Sequence, residues 1–178
     1  QKCLGVPPGL SPVTVSAAAI ERFVEKSPSW YLDLQMIARY VTSGGARAYH
    51  HTAPISMIYA LHAGLGVVLE EGLENVQARH QACGDKLQAG LVDRGFELFA
   101  QEGHRLPELT SVMVPIDRLP EGLDEAGVRT RLLTEYGIEI GGGLGPVAGK
   151  VWRIGCMGHT ARIRNVTLLL AALDEILD

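Results

Sequence analysis

The chain has no block of lysine and arginine, no apolar run of membrane-spanning length and no C-x-x-C pair. The first absence removes the electrostatic footprint of a nucleic-acid binder, because tracking a phosphate backbone takes clustered cations and the formal net charge is only −4. The second excludes an ordinary membrane helix. Such a span needs roughly 18 or more consecutive apolar residues, and the best stretch, Ile55 to Leu69, is interrupted by His62. The third argues against a disulfide framework. Cys3, Cys83 and Cys156 are odd in number and far apart, which reads as reduced thiols in a cytoplasmic compartment. His50-His51 makes a poor zinc pair, since adjacent residues rarely turn both rings to one ion and no cysteine or acid stands at ligand spacing. An initiator Met and a signal-peptide pattern are also absent, so the chain is expected to be a cleavage product or part of something longer. What remains is the composition of an ordinary α/β protein, 47% hydrophobic and 6% aromatic, with 178 residues to build a core.

Periodicity and punctuation give the organisation. Leu4 to Pro12 is rich in proline and glycine and reads as a loop. Val13-Thr14-Val15 reads as a short strand, and Ser16 caps a helix to about Glu25. Trp30 to Val41 has Leu32, Met36, Ile37 and Tyr40 at helical spacing and is stopped by Ser43-Gly44-Gly45. Pro54 suits the first turn of a helix, and helical pattern then runs almost unbroken to about Val92. Its first part (Ile58, Leu61, Leu65, Val68, Leu69) is apolar on most sides. Its second carries one stripe of Leu73, Val76, His80, Cys83 and Leu87. A domain boundary is placed at Glu70-Glu71-Gly72. Beyond it the pattern predicts strands at 96–99, 110–114, 138–140 and 151–154, a helix from Leu123 to Tyr136 stopped by Gly137, and a closing helix with Val166, Leu169, Leu173, Ile176 and Leu177 inward. Residues 72–178 thus read as a compact α+β domain, and residues 1–71 as part of a larger one, because one short strand cannot close a sheet.

Two segments mix donors, glycine and a cation as no core requires. In Arg47-Ala48-Tyr49-His50-His51-Thr52-Ala53-Pro54, hydroxyls precede a helix start, where the dipole and free N–H groups suit a phosphate. A plain helix cap by Thr52 explains the same residues. The second segment runs from Gly141 through Gly149 to Arg153 and Gly155. Its glycines do not fit G-x-G-x-x-G between strand and helix; they lead into a strand and read as a substrate-side loop, Gly142 to Leu144 lining it. Alternation puts Arg153 on the face of Val151, opposite Trp152 and Ile154. A guanidinium there is either ion-paired in the core or presented to an anion. His62, His80, His104 and His159 show no partner pattern and are read as structural, and Cys156 as near the site but inert. Lys2 alone carries no signal, since most lysines are solvated surface charges.

Together with Gln1-Lys2 and the following Pro7-Pro8-Gly9, these segments resemble the alanine–glyoxylate and serine–glyoxylate (serine–pyruvate) aminotransferases, fold-type I, class V enzymes that use pyridoxal 5'-phosphate (PLP). The resemblance runs from Gln1 to the end. It implies an α/β fold of that type, with 1–71 the end of the large PLP domain and 72–178 the small C-terminal domain. It implies that Lys2 binds the cofactor covalently and moves the proton, that Gln1 grips the phosphate, and that Tyr49 and Thr52 reach the phosphate of the neighbouring protomer in a homodimer. Arg153 takes the substrate α-carboxylate, a fork meeting a carboxylate. The substrates implied are alanine or serine as donor and glyoxylate or pyruvate as acceptor. The family's pyridine-nitrogen acid, ring-stacking aromatic and phosphate glycine turn lie upstream of the lysine, so the 178 residues are expected to be inactive without an N-terminal half; Asp33 does not match the acid. Rival readings are aminoethylphosphonate transamination, a desulfurase or lyase, and a non-catalytic dimerising fragment of the same fold.

Overall fold

A computed structural model describes residues 1–42 and 49–178 of the chain. The expected helix stop at Ser43-Gly44-Gly45, and Arg47, lie outside the described residues. Two compact units emerge, Gln1–Val6 with Leu61–Asp178, and Pro7–Ala60.

The larger unit is built on helix α4 (Leu73–Asp93), which buries Val76, His80, Cys83, Leu87 and Leu91 at the three- and four-residue steps of one helical face. Leu73, expected in that stripe, is 63% exposed because it is the first residue after the Gly72 turn. That glycine sits at φ 85 and separates α4 from α3 (Ile55–Glu71), so the expected continuous helix is two. Strands β1 (Leu109–Met113), β2 (Gly141–Gly142) and β3 (Val151–Gly155) form an antiparallel sheet in the order β1-β3-β2. Helices α5 (Glu125–Tyr136) and α6 (Ile163–Leu177) complete it. One face of the sheet, through Val112, Trp152 and Ile154, shares a core with Leu87, Leu91, Val128, Leu132, Val166 and Leu173 from the helices. Trp152 is fully buried, and truncating a core side chain of that size costs about 3–5 kcal/mol.

Two expected strands shrink. At 96–99 the pairing is a single bridge, Leu98 with Val112, because the chain enters from Gly95 at φ 76 and turns away after Phe99. At 138–140 no strand forms. Gly137, at φ 66, ends α5 and the Ile138 N–H closes back on Leu132 O at 2.9 Å, so sheet pairing begins only at Gly141.

In the smaller unit Ser16 caps α1 as expected, its Oγ accepting from the Ala19 N–H at 3.3 Å, but α1 is only the turn Ala17–Ile20. Nothing in α1 is buried, and so short a helix has little to hold it beyond tertiary contact. Val13-Thr14-Val15 is not a strand; no strand lies alongside to pair with it among the described residues. Helix α2 spans Leu34–Thr42, starting later than expected, because Asp33 Oδ1 accepts from the Gln35 and Met36 N–H groups at 2.9 and 3.0 Å and so sits ahead of the helix as its cap, not within it. Among the described residues no helix is long and apolar enough to cross a membrane.

Candidate functional site

Arg153 sits in the middle strand of the sheet, opposite Ser111 on β1 and Gly141 on β2. Its side chain lies off the helix-packed face, as alternation requires. Nε donates to Gly142 O at 2.7 Å. A Cβ at Gly141 would stand 3.4 Å from Arg153 Nη2, so the glycine is what lets the guanidinium lie across β2. Among the described residues no carboxylate pairs with Arg153. The core ion-pair explanation therefore lacks a partner among the described residues, where the half-buried fork makes one side-chain hydrogen bond, from Nε. Arg129 approaches the same loop from the other face, within 3.5 Å of a Cβ position at Gly142. It is neutralised by Glu125 at 2.9 Å, whose Oε2 also accepts from Trp152 Nε1 at 3.2 Å. The Arg129 hydrogen bond, and then its charge, hold the Glu125 carboxyl below the usual carboxylate range.

The loop between β2 and β3 is tight because its glycines are required. Gly145 and Gly149 have φ 55 and 73, and a Cβ at Gly143 would collide with the Val147 carbonyl.

Gln1 and Lys2 are exposed. The Lys2 carbonyl accepts from the Gly5 N–H at 3.0 Å, closing a turn. That turn rests on the segment leaving β3: a Cβ at Gly158 would stand 3.1 Å from Lys2 O and 3.2 Å from Cys3 O. Arg153 and the support under Lys2 thus belong to one short stretch of chain. Cys156, in that stretch, is buried and its thiol is pushed up to about 11 by burial and then by Cys83, which fits an inert thiol.

In the smaller unit Tyr49 and Thr52 do come together, with Tyr49 OH and Thr52 Oγ1 2.6 Å apart and Tyr49 exposed. No hydrogen bond from a helix N–H to Thr52 Oγ1 occurs among the described residues, so the hydroxyl pair is not the cap of α3. Next to it His50 is buried, stacked on Trp30 with ring centroids 4.3 Å apart. Its Nε2 meets the Trp30 carbonyl at 2.9 Å, so it carries the proton there, and Nδ1 accepts from His51 Nδ1 at 2.7 Å. Both nitrogens are engaged, which leaves no lone pair for a metal, and no group of metal-binding side chains occurs among the described residues. Sequence gave no sign of this aromatic clamp, nor that His80 is buried with both ring nitrogens bonded.

No protein-family model matches the chain. Curated relatives do. It is 37% identical over 198 residues to the (S)-ureidoglycine–glyoxylate transaminase of Bacillus subtilis, covering 99% of this chain and 46% of that protein. It is 36% identical over 180 residues to the alanine–glyoxylate aminotransferase of Drosophila melanogaster, covering 98% and 44%. Among solved structures, the alanine–glyoxylate aminotransferase of Nostoc sp. superposes with a TM-score of 0.87 at 45% identity, over 100% of this chain and 46% of that one. The chain is a class V, fold-type I aminotransferase homologue. It spans less than half the length of these aminotransferases. NifS-like proteins share the fold at 22% identity or less, which bears on architecture alone.

Proposed function

We propose that these residues serve a PLP-dependent transaminase that moves the amino group of a small amino acid, alanine or serine, to glyoxylate or pyruvate. In this reading the chain is the C-terminal half of the enzyme, with 1–71 ending the large domain and 72–178 forming the small one. Arg153 carries the proposal. A strand arginine with one donor on Gly142 O, and no carboxylate partner among the described residues, is what holding a substrate α-carboxylate calls for. The donors present fit PLP: an exposed amine at Lys2 for the aldehyde, and the exposed Tyr49–Thr52 hydroxyl pair for the phosphate. When bound, the cofactor supplies an electron sink that makes the substrate Cα–H acidic.

The chain's own work follows. Lys2 Nζ would hold the cofactor through its aldehyde and, once freed by the substrate amine, would move the proton at the substrate Cα. Arg153 donates from Nη1 and Nη2 to the two carboxylate oxygens, which fixes the direction of the Cα–H bond. Gln1, Tyr49 and Thr52 would donate to the phosphate. In a two-fold homodimer Tyr49 and Thr52 act on the partner's cofactor, so each site draws on both chains. A cytoplasmic setting suits Cys3, Cys83 and Cys156, which are all free thiols. The desulfurase alternative needs an activated thiolate, and the raised Cys156 counts against it. The test is to supply the complete protein with PLP, alanine and glyoxylate and to assay glycine and pyruvate. Stoichiometric formation of both supports the reading, and aldehyde release from aminoethylphosphonate with no turnover of alanine or serine contradicts it.

A further inference from the structure

Two adjacent residues in the second turn of α4, Arg79 and His80, reach one turn of backbone beyond their helix. Arg79 Nη1 donates to both Gly158 O and Ala161 O at 2.9 Å, while its Nε and Nη2 form a double hydrogen bond to Glu71 at 2.6 and 2.9 Å. His80 is 2% exposed. Its Nδ1 meets the Val76 carbonyl at 2.6 Å, and a carbonyl only accepts, so Nδ1 carries the proton. Nε2 is then the acceptor for the Gly158 N–H at 2.9 Å. Gly158 is therefore gripped at both its N–H and its carbonyl by adjacent residues of one helix. It is held at φ 55, a conformation natural to glycine, with its bare Cα turned to the Lys2 and Cys3 carbonyls and to Gly5 Cα, each 3.1–3.2 Å from where a Cβ would stand.

We propose that Arg79 and His80 are positioning residues for Lys2. They fix the Gly158 turn, and the Gly158 turn fixes the backbone from which the Lys2 side chain departs. The inference rests on the reading of Lys2 as the cofactor lysine. Apolar packing does not require it: Val76, Cys83, Leu87 and Leu91 bury the face of α4 beside His80, whereas Arg79 Nη1 and His80 Nε2 are both bonded to Gly158. Glu71 keeps the Arg79 guanidinium oriented, and the paired hydrogen bond lowers the Glu71 carboxyl below the usual range. Because Gly158 follows β3 closely, the same turn ties the lysine's height to the strand that carries Arg153.

The experiment uses the complete protein and three variants. Arg79→Met keeps the apolar stem and removes the two carbonyl contacts. His80→Leu leaves the Gly158 N–H without an acceptor. His80→Gln offers an amide oxygen in place of Nε2. Hydrogen exchange of the segment 2–5 is read without cofactor, and with cofactor the visible circular dichroism band, kcat and KM are read. Arg79→Met and His80→Leu are expected to speed exchange of the 2–5 amides about tenfold or more while the 87–91 amides stay protected. They should also weaken the dichroic band and lower kcat, with KM for the amino donor little changed, and His80→Gln should restore most of each. Wild-type exchange at 2–5 in Arg79→Met and His80→Leu, with only a lower Tm, would overturn the proposal, and so would an unaltered dichroic band and kcat. A wild-type protein that forms no cofactor band at Lys2 would instead refute the reading of Lys2, while the exchange measurement still decides whether the turn is held.

Discussion

Replacing Arg153 with lysine keeps the positive charge and removes the fork, and the structure sets what that should cost. Arg153 already commits Nε to Gly142 O at 2.7 Å. Two further donors on Nη1 and Nη2 remain for two carboxylate oxygens. An ammonium presents its donors from one nitrogen on a different stem, so it cannot hold Gly142 O and both oxygens together. One charge-assisted hydrogen bond is lost, about 1.5–3 kcal/mol, which is roughly a 10- to 150-fold fall in kcat/KM. The fall should be shared by every α-amino acid, leaving the ratio of alanine to serine unchanged, because the lost contact is to the group they have in common. Stability should change little, since no carboxylate among the described residues loses a partner. Steady-state kinetics on both donors, with thermal melts of the same samples, check this. Unchanged kinetics with a clear drop in Tm would refute the reasoning and make Arg153 a structural cation.

Three further outcomes are expected. Gly143→Ala should drive the loop off the Val147 carbonyl and loosen the Gly142 O hold on Arg153; kcat/KM is expected to fall, and wild-type kinetics would show that the loop does not position the arginine. Thr110→Val removes a buried hydroxyl that has no partner among the described residues; a gain of about 1 kcal/mol in chemical denaturation is expected, and a loss would show that the hydroxyl is satisfied. The carboxyls of Glu71, Glu125, Glu135 and Asp174 are each held below the usual range by an arginine hydrogen bond. A depressed folded pKa adds stability that is present above the unfolded pKa and is lost as pH falls through the folded one. Tm should therefore drop between about pH 5 and pH 3, and Glu125→Gln should flatten that profile; an equally steep profile would show that Glu125 does not contribute.

Legibility in the sequence followed how local each determinant is. The α4 stripe apart from Leu73, the Gly137 stop, the Ser16 cap and the α6 inner face are set by residues within a turn or two of one another, and these appear in the structure. The side of β3 on which Arg153 lies followed from alternation alone. Strand extent did not, because it depends on partners elsewhere: Ile138 was drawn into closing α5, and Val13 to Val15 found no neighbour. Gly72, at φ 85, turns the chain between α3 and α4, a junction that the near-continuous helical pattern did not show. The pairing of Tyr49 with Thr52 was within reach of the motif, but the stacking of His50 on Trp30 spans 20 residues of sequence and left no periodic trace. His80 was equally silent, since a histidine that serves a glycine 78 residues away looks like any other core histidine.

Lys2 is proposed above as the covalent anchor of the cofactor. The most direct measurement is to load the complete protein with PLP, reduce it with borohydride, digest it and locate the modified lysine by mass spectrometry. The modification is expected on Lys2 alone, with loss of the visible band on reduction and no labelling in Lys2→Ala. A reducible adduct on Lys26, Lys86 or Lys150, or undiminished labelling of the Lys2→Ala protein, would contradict it.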